Sequence, residues 1–309
     1  MRLDGLWFGQ VAMAALMDVA FAFAFGSAVL GTWLASDARL TVAPGRLAWQ
    51  RSQRSLLAAV VVLLLADLGW LLYQSAQMGG VRLPAAFALV PTVLLQTSVG
   101  YAWSVAFGGA LLLLLSALVG PEGRARYLLL ALGVLFVAAG KASMGHAADG
   151  GVLSAGLGLH VLHVVATSLW GGLVLAAGCA VLPALGASVA RGVLIRTALK
   201  VSNVSLIALV FVLVSGVFNV ERGAGASLEA IQSSIWGHVL LLKLALVALA
   251  LVFGGLNRFL ALPRLRRTAS TMDAHTFVNV LYLEALTMIG IFIIAAALSH
   301  SAPPLTSMG

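Results

Sequence analysis

The sequence predicts an all-α polytopic membrane protein with eight transmembrane helices. Hydrophobic residues make up 61% of the 309, charged residues only 9%, and the mean hydropathy is +1.07. Most of this chain must therefore be buried in lipid rather than in one soluble core. Crossing the hydrocarbon takes about 20 apolar residues in a helix. Polar breaks leave eight such stretches, roughly 8 to 33, 55 to 77, 96 to 119, 126 to 146, 159 to 182, 201 to 220, 233 to 256 and 276 to 299. Lipid forces them to be helical, because an unpaired backbone amide in hydrocarbon is costly.

Each stretch carries its own mark. The first is too long for a signal-peptide core and contains Asp18, so it is expected to be a retained helix. The second holds Asp67. The third opens on "LLQTSVGYAW" and the fourth runs out through "VAAGKASMGHA". The fifth begins "GLHVLHVVATSLWGG" and ends near Cys179, the single cysteine, which excludes an intrachain disulfide and is expected only to pack. The sixth closes on Ser215, Gly216 and Asn219; the seventh carries His238 and Lys243; the eighth carries Glu284 and leaves through "IAAALSHSAPP". Gly171, Gly172, Gly254 and Gly255 are expected to permit close helix contact.

The connections after the first, third, fifth and seventh segments hold thirteen of the eighteen Lys and Arg, among them Arg46, Arg124, Arg191 and Arg258. The opposite side holds Arg2, Arg82 and Arg222. The positive-inside rule then places both termini in the periplasm. The formal charge of +8 is accounted for by this topology and by lipid headgroups, with no need for nucleic acid.

The halves about 8–146 and 159–300 read as two parallel four-helix repeats within a single bundle domain, 1–309. Gln96 pairs with Gln232, and Gly100 with Gly237 after one inserted residue. An even number of helices per half makes the repeats parallel. His146 and His300 then occupy corresponding outer ends.

Five of the six histidines fall on the outer side: His146, His160, His163, His238 and His300; only His275 is cytoplasmic. His160 and His163 are about 300° apart on a helix, hence neighbours on one face. With the Met144 thioether they form a borderline-to-soft donor set that suits copper better than magnesium, calcium or manganese, while zinc stays open through imidazole alone. Any one of these histidines taken singly is also accounted for as an amphipathic ring at the interface. Beneath them lie Asp18, Asp67, Lys243 and, further in, Glu284. Charges at that depth must face the bundle, and Lys243 is expected to pair with Asp18 or Asp67. Such a layer serves equally as a structural ion pair or as a step on an ion pathway. Met13, Met17 and Met288 are either gap-filling core or a thioether track.

These residues resemble the CopD-type copper-resistance proteins of bacterial inner membranes, over most of the chain. The likeness is carried by Gly145, His146 and Ala147; by His163 with Trp170 and Gly172 seven and nine residues on; by Ser215, Gly216 and Asn219; by Trp236, Gly237 and Lys243; by Asn257, Arg258 and Pro263; and by Glu284, Pro303 and Pro304. His160 and His238 match no histidine of the family pattern, and Ser215 stands where the pattern has Thr. The resemblance implies a multi-pass inner-membrane protein that handles copper, beside a small periplasmic copper-binding protein of the CopC type.

The expected function is to take copper from the periplasm and transport it across the membrane. No phosphate-binding Gly-rich loop or nucleotide domain is legible, so ATP-driven pumping is excluded; proton coupling would fall to Asp18, Asp67 or Glu284. Two alternatives stay open: a haem-binding electron carrier using histidines as axial ligands, and a storage or assembly protein that holds copper without moving it. No arrangement of an enzyme nucleophile or paired catalytic carboxylates is legible.

Overall fold

The computed structural model describes residues 5–38, 44–119, 123–144, 154–224 and 228–301. Among them the chain is helical, without strands. Eight helices are long and apolar enough to span a bilayer: α1 (Gly5–Ser36), α2 (Arg46–Gly79), α3 (Ser98–Leu118), α4 (Arg124–Ser143), α5 (Ala155–Leu185), α6 (Ser188–Glu221), α7 (Ile235–Thr268) and α8 (Thr271–Ser299).

Several helices outrun their apolar cores. α2 begins at Arg46, α6 at Ser188, and α7 continues to Thr268. Each extension is arginine-bearing and lies at the same end of the bundle. Hydropathy marks where lipid stops, whereas the backbone ladder continues into the headgroup layer, with arginine stems lying along the helix and their charges in water.

Two helices are interrupted near that end. α5 passes through a π-turn, Ala177–Val181, and α7 through another, Asn257–Ala261. Pro183 and Pro263 follow directly. A proline ring lacks an N–H and displaces the carbonyl four residues earlier, and the helix absorbs the fault as a wider turn. Cys179 lies in the first of these turns, exposed rather than packed inside.

At the other end α3 and α7 start in the same way. A short helix, Val90–Gln96 or Leu228–Ser233, precedes each. Thr97 Oγ1 accepts from the Gly100 amide at 3.0 Å, and Ser234 Oγ from the Gly237 amide at 3.0 Å. A Cβ on Gly100 would strike the Val93 carbonyl, and one on Gly237 the Ile231 carbonyl. Cap and glycine keep the same spacing in both helices, so this device aligns without the inserted residue that the sequence pairing required.

α1 occupies the centre, packed against α2, α5 and α8. α3 pairs with α4, α5 with α6, and α7 with α8, while α4 also lies against α5. α6 and α7 are consecutive yet touch mainly near their ends. The tightest crossing joins α1 to α5: a Cβ on Gly26 would strike the Gly172 carbonyl, and one on Gly172 the Ala22 carbonyl. In lipid, where apolar surface gains nothing by leaving its neighbours, such small-residue contacts are what bring backbones together. Gly171 admits the Phe292 ring, 2.7 Å from where its Cβ would be, and Gly254 admits Glu284. Gly255, expected to act likewise, faces open space.

Gly172→Leu should therefore lose most folded protein in detergent, because the obstruction is backbone; overpacking ordinarily costs about 1–3 kcal/mol, and a side chain aimed at a carbonyl falls at or beyond the upper end. Gly255→Ala should keep or raise the melting temperature, since alanine gains about 0.5–1 kcal/mol over glycine in a helix. Thermal unfolding followed by size-exclusion fluorescence compares the two.

Candidate functional site

Ser154 caps α5 by accepting from the Leu157 amide at 3.2 Å, which fixes the start of the helix just before its histidines. His160 and His163 then stand one turn apart, rings stacked with centroids 6.4 Å apart and 20° between planes. Both are tied to α6. His163 Nδ1 lies 2.9 Å from Ser215 Oγ, and that hydroxyl is 2.5 Å from the Phe211 carbonyl. The hydroxyl has one proton; given to the carbonyl, it leaves Ser215 to accept from His163 Nδ1–H. His160 Nδ1 lies 3.4 Å from Asn219 Oδ1, an atom that only accepts. With Asn219 Oδ1 and Ser215 Oγ accepting, both rings are assigned the Nδ1–H tautomer. An imidazole whose second nitrogen is fixed by a neighbouring element is how ligating histidines are ordinarily held.

The charged layer is arranged differently from the sequence expectation. Asp18 pairs with Lys141, Nζ to Oδ1 2.8 Å, and not with Lys243. Depth counting assumed helices ending in one plane; α4 ends at Ser143, so Lys141 near its end meets a residue more than three turns into α1. Lys243 lies within Coulombic reach of Asp18 and His163 without forming an ion pair among the described residues. Asp67 is 1% exposed and neither carboxylate oxygen has a hydrogen-bond partner among the described residues. Trp103 Nε1 donates instead to the Asp67 backbone carbonyl at 3.0 Å.

His300 closes the bundle. Trp70 Nε1 donates to its Nε2 at 3.3 Å, and its Nδ1 donates to the Ala296 carbonyl at 2.8 Å. Both ring nitrogens are thus engaged, and burial holds this imidazole below its ordinary value. Trp7 Nε1 donates to the His300 carbonyl at 3.2 Å, joining the two ends of the chain. His238 is exposed, with no ring hydrogen bond among the described residues, and His275 is likewise exposed. Met144 caps α4, half-buried against the apolar cluster of α1–α4. His146 lies outside the described residues. Among the described residues no group of three or more His, Cys, Asp or Glu is close enough to hold a metal ion. The candidate site among the described residues is therefore the His160–His163 pair, with Asn219 and Ser215 behind it and Lys243 and Asp18 to one side. Met17 and Met288, 2% and 1% exposed, fill the apolar clusters instead of approaching it.

Sequence reasoning missed Lys141 and the Trp70–His300 link. Lys141 was legible as the one cation in its helix core; nothing local marks Trp70.

Residues 3–157 match the profile described as copper resistance protein D-like, N-terminal domain, and residues 196–298 match that of copper resistance protein D. The chain is 28% identical to the inner membrane protein YebZ of Escherichia coli (strain K12) over 265 residues, covering 85% of this chain and 87% of that protein. No solved structure matches it.

Asp18→Asn should destabilise by about 3 kcal/mol by leaving Lys141 unpaired, and Asp18→Asn with Lys141→Met should recover most of that loss. Lys243→Met should leave the Asp18–Lys141 coupling intact. A double-mutant cycle on thermal unfolding checks both; coupling of Asp18 to Lys243 equal to that with Lys141 would refute the pairing.

Proposed function

The chain belongs to the copper resistance protein D family, and from that membership we propose that it is an inner-membrane copper-binding protein that takes copper from the periplasm and transports it across the bilayer. Copper is its cargo. The observation that carries this reading is the stacked pair His160 and His163, each with Nδ1 held by a polar side chain of α6. Neutral imidazoles are good donors to copper, which binds nitrogen sites more tightly than its divalent neighbours in the first transition row. Met144, which caps α4, and His146, two residues further in the sequence, are proposed to extend the donor set, with His238 and His300 at its margin. His300 would first have to give up its bond from Trp70.

Beside the pair, Lys243 lies within Coulombic reach of His163 and of Asp18, and Asp18 is paired with Lys141. A protonated amine repels a cation, which makes Lys243 a gate rather than a ligand in this reading. The likeness to an inner membrane protein of Escherichia coli supports the inner membrane as location. A periplasmic CopC-like protein is the proposed donor. We assign the chain no enzymatic activity.

In purified protein, His160→Ala with His163→Ala should abolish the tightest copper binding, and Ser215→Ala should weaken it about 10- to 100-fold by freeing the ring it orients. Copper flux into proteoliposomes should fall with binding. Unchanged binding in the double variant overturns the site. Binding without flux in the wild type favours the storage reading, and a Soret band favours haem.

A further inference from the structure

In the arginine-rich half of the bundle, a cavity of about 250 Å³ opens between α5, α6, α7 and α8. It exists because α6 and α7 meet mainly at their ends. Most of its wall is apolar, but one side presents Glu284, 5% exposed, whose carboxyl lies beside the side chains of Asn257 and Trp170. A Cβ on Gly254 would stand 3.1 Å from Glu284 Oε1, so glycine lets α7 close directly on the carboxyl. Arg258 also lines the cavity, its Nη1 donating to Ser202 Oγ at 2.7 Å and to Asn203 Oδ1 at 3.1 Å. The buried Ser205 Oγ has no partner among the described residues and lies in the same wall.

A carboxyl that only packed against Trp170 and Asn257 would need no space beside it. A volume of this size holds several waters, each taking about 30 Å³ and needing two to four polar partners. Ser202, Ser205, Asn257 and Glu284 supply such partners along one wall. Arg258 and Glu284 are the charged groups of the lining, and α5 and α6 present only Trp170, Ser202 and Ser205 as polar groups. A file of waters from the arginine-rich end would thus terminate at Glu284.

We propose that Glu284 is a proton-binding site reached by water from the arginine-rich end through the cavity between α6 and α7. It deepens the copper reading by assigning the group that exchanges protons on the inner side. The balance is simple: a hydronium ion entering the cavity leaves its proton on Glu284 and departs as water, and the reverse step returns it.

The test needs no copper. In copper-free protein, a carboxylic-acid infrared band assigned through its loss in Glu284→Gln should shift on mixing with D2O and disappear as bulk pH is raised. Ser205→Leu, which fills the cavity and leaves Glu284 in place, should slow that exchange at least tenfold. In a Cys179→Ser background, Ser205→Cys should react with a charged, membrane-impermeant thiol reagent at least tenfold faster than the lipid-facing Val252→Cys. A band indifferent to D2O and pH, or reaction of Ser205→Cys with apolar reagents alone, would overturn the proposal. Because neither measurement uses copper, its failure leaves the histidine pair standing, and failure at the histidine pair leaves this site standing.

Discussion

The contact of Gly26 with Gly172 sets the geometry on which the other polar residues depend. Two backbones in touch cannot slide without collision, so the register of α1 against α5 is fixed at one point. Nine residues outward from that crossing lie Met17 on α1 and His163 on α5. Nine residues are two and a half helical turns, which reverses the face. Met17 accordingly points away from α5 into the cluster of α1–α4, and His163 points away from α1 toward α6. The crossing therefore explains why the methionine fills a core while the histidine enters a polar site. Asp18, one position further along α1, turns partly toward the interface and comes within electrostatic reach of Lys243 and His300.

Hydrocarbon makes each of these groups answerable to its neighbours. A charge near the bilayer centre costs several kcal/mol unless it pairs or meets water. Asp18 and Lys141 satisfy each other directly. His160, His163 and His300 satisfy their Nδ1–H groups on an amide oxygen, a hydroxyl and a carbonyl. In His300 the Nε2 atom also receives an N–H from Trp70. The anchors separate the rings: His300 is bound between α2 and its own helix, whereas the pair on α5 is tied to α6, although all three lie at the same end of the molecule.

The fold was legible because its dominant signal is length and hydropathy, which the bilayer reads segment by segment. Eight spans follow from that alone. What escaped depends on relations between segments. The arginine-bearing extensions of α2, α6 and α7 are invisible to hydropathy, since their helicity rests on the backbone ladder. The short helices Leu83–Ala86 and Val90–Gln96 lie outside the apolar stretches, because four to seven residues leave no period to detect. Lys141 was missed as the partner of Asp18 because helices end at different heights. The histidine pair was readable, since i and i+3 share a face whatever surrounds them. Its anchoring by Ser215 and Asn219 required knowing that α5 and α6 lie side by side.

The spacing of His163, Trp170 and Gly172 has a physical meaning that residue identity alone does not disclose. His163 and Trp170 are seven residues apart, about two turns, and so share the face of α5 turned toward α6 and the cavity. Gly172 lies nearly opposite, against α1. One helix thus carries an imidazole at the outer site, an indole on the Glu284 carboxyl at the inner one, and between α5 and α1 a fixed point on the reverse side. The indole, two residues from the backbone contact with α1, is thus set in place beside Glu284 by the same point that fixes the register of α5.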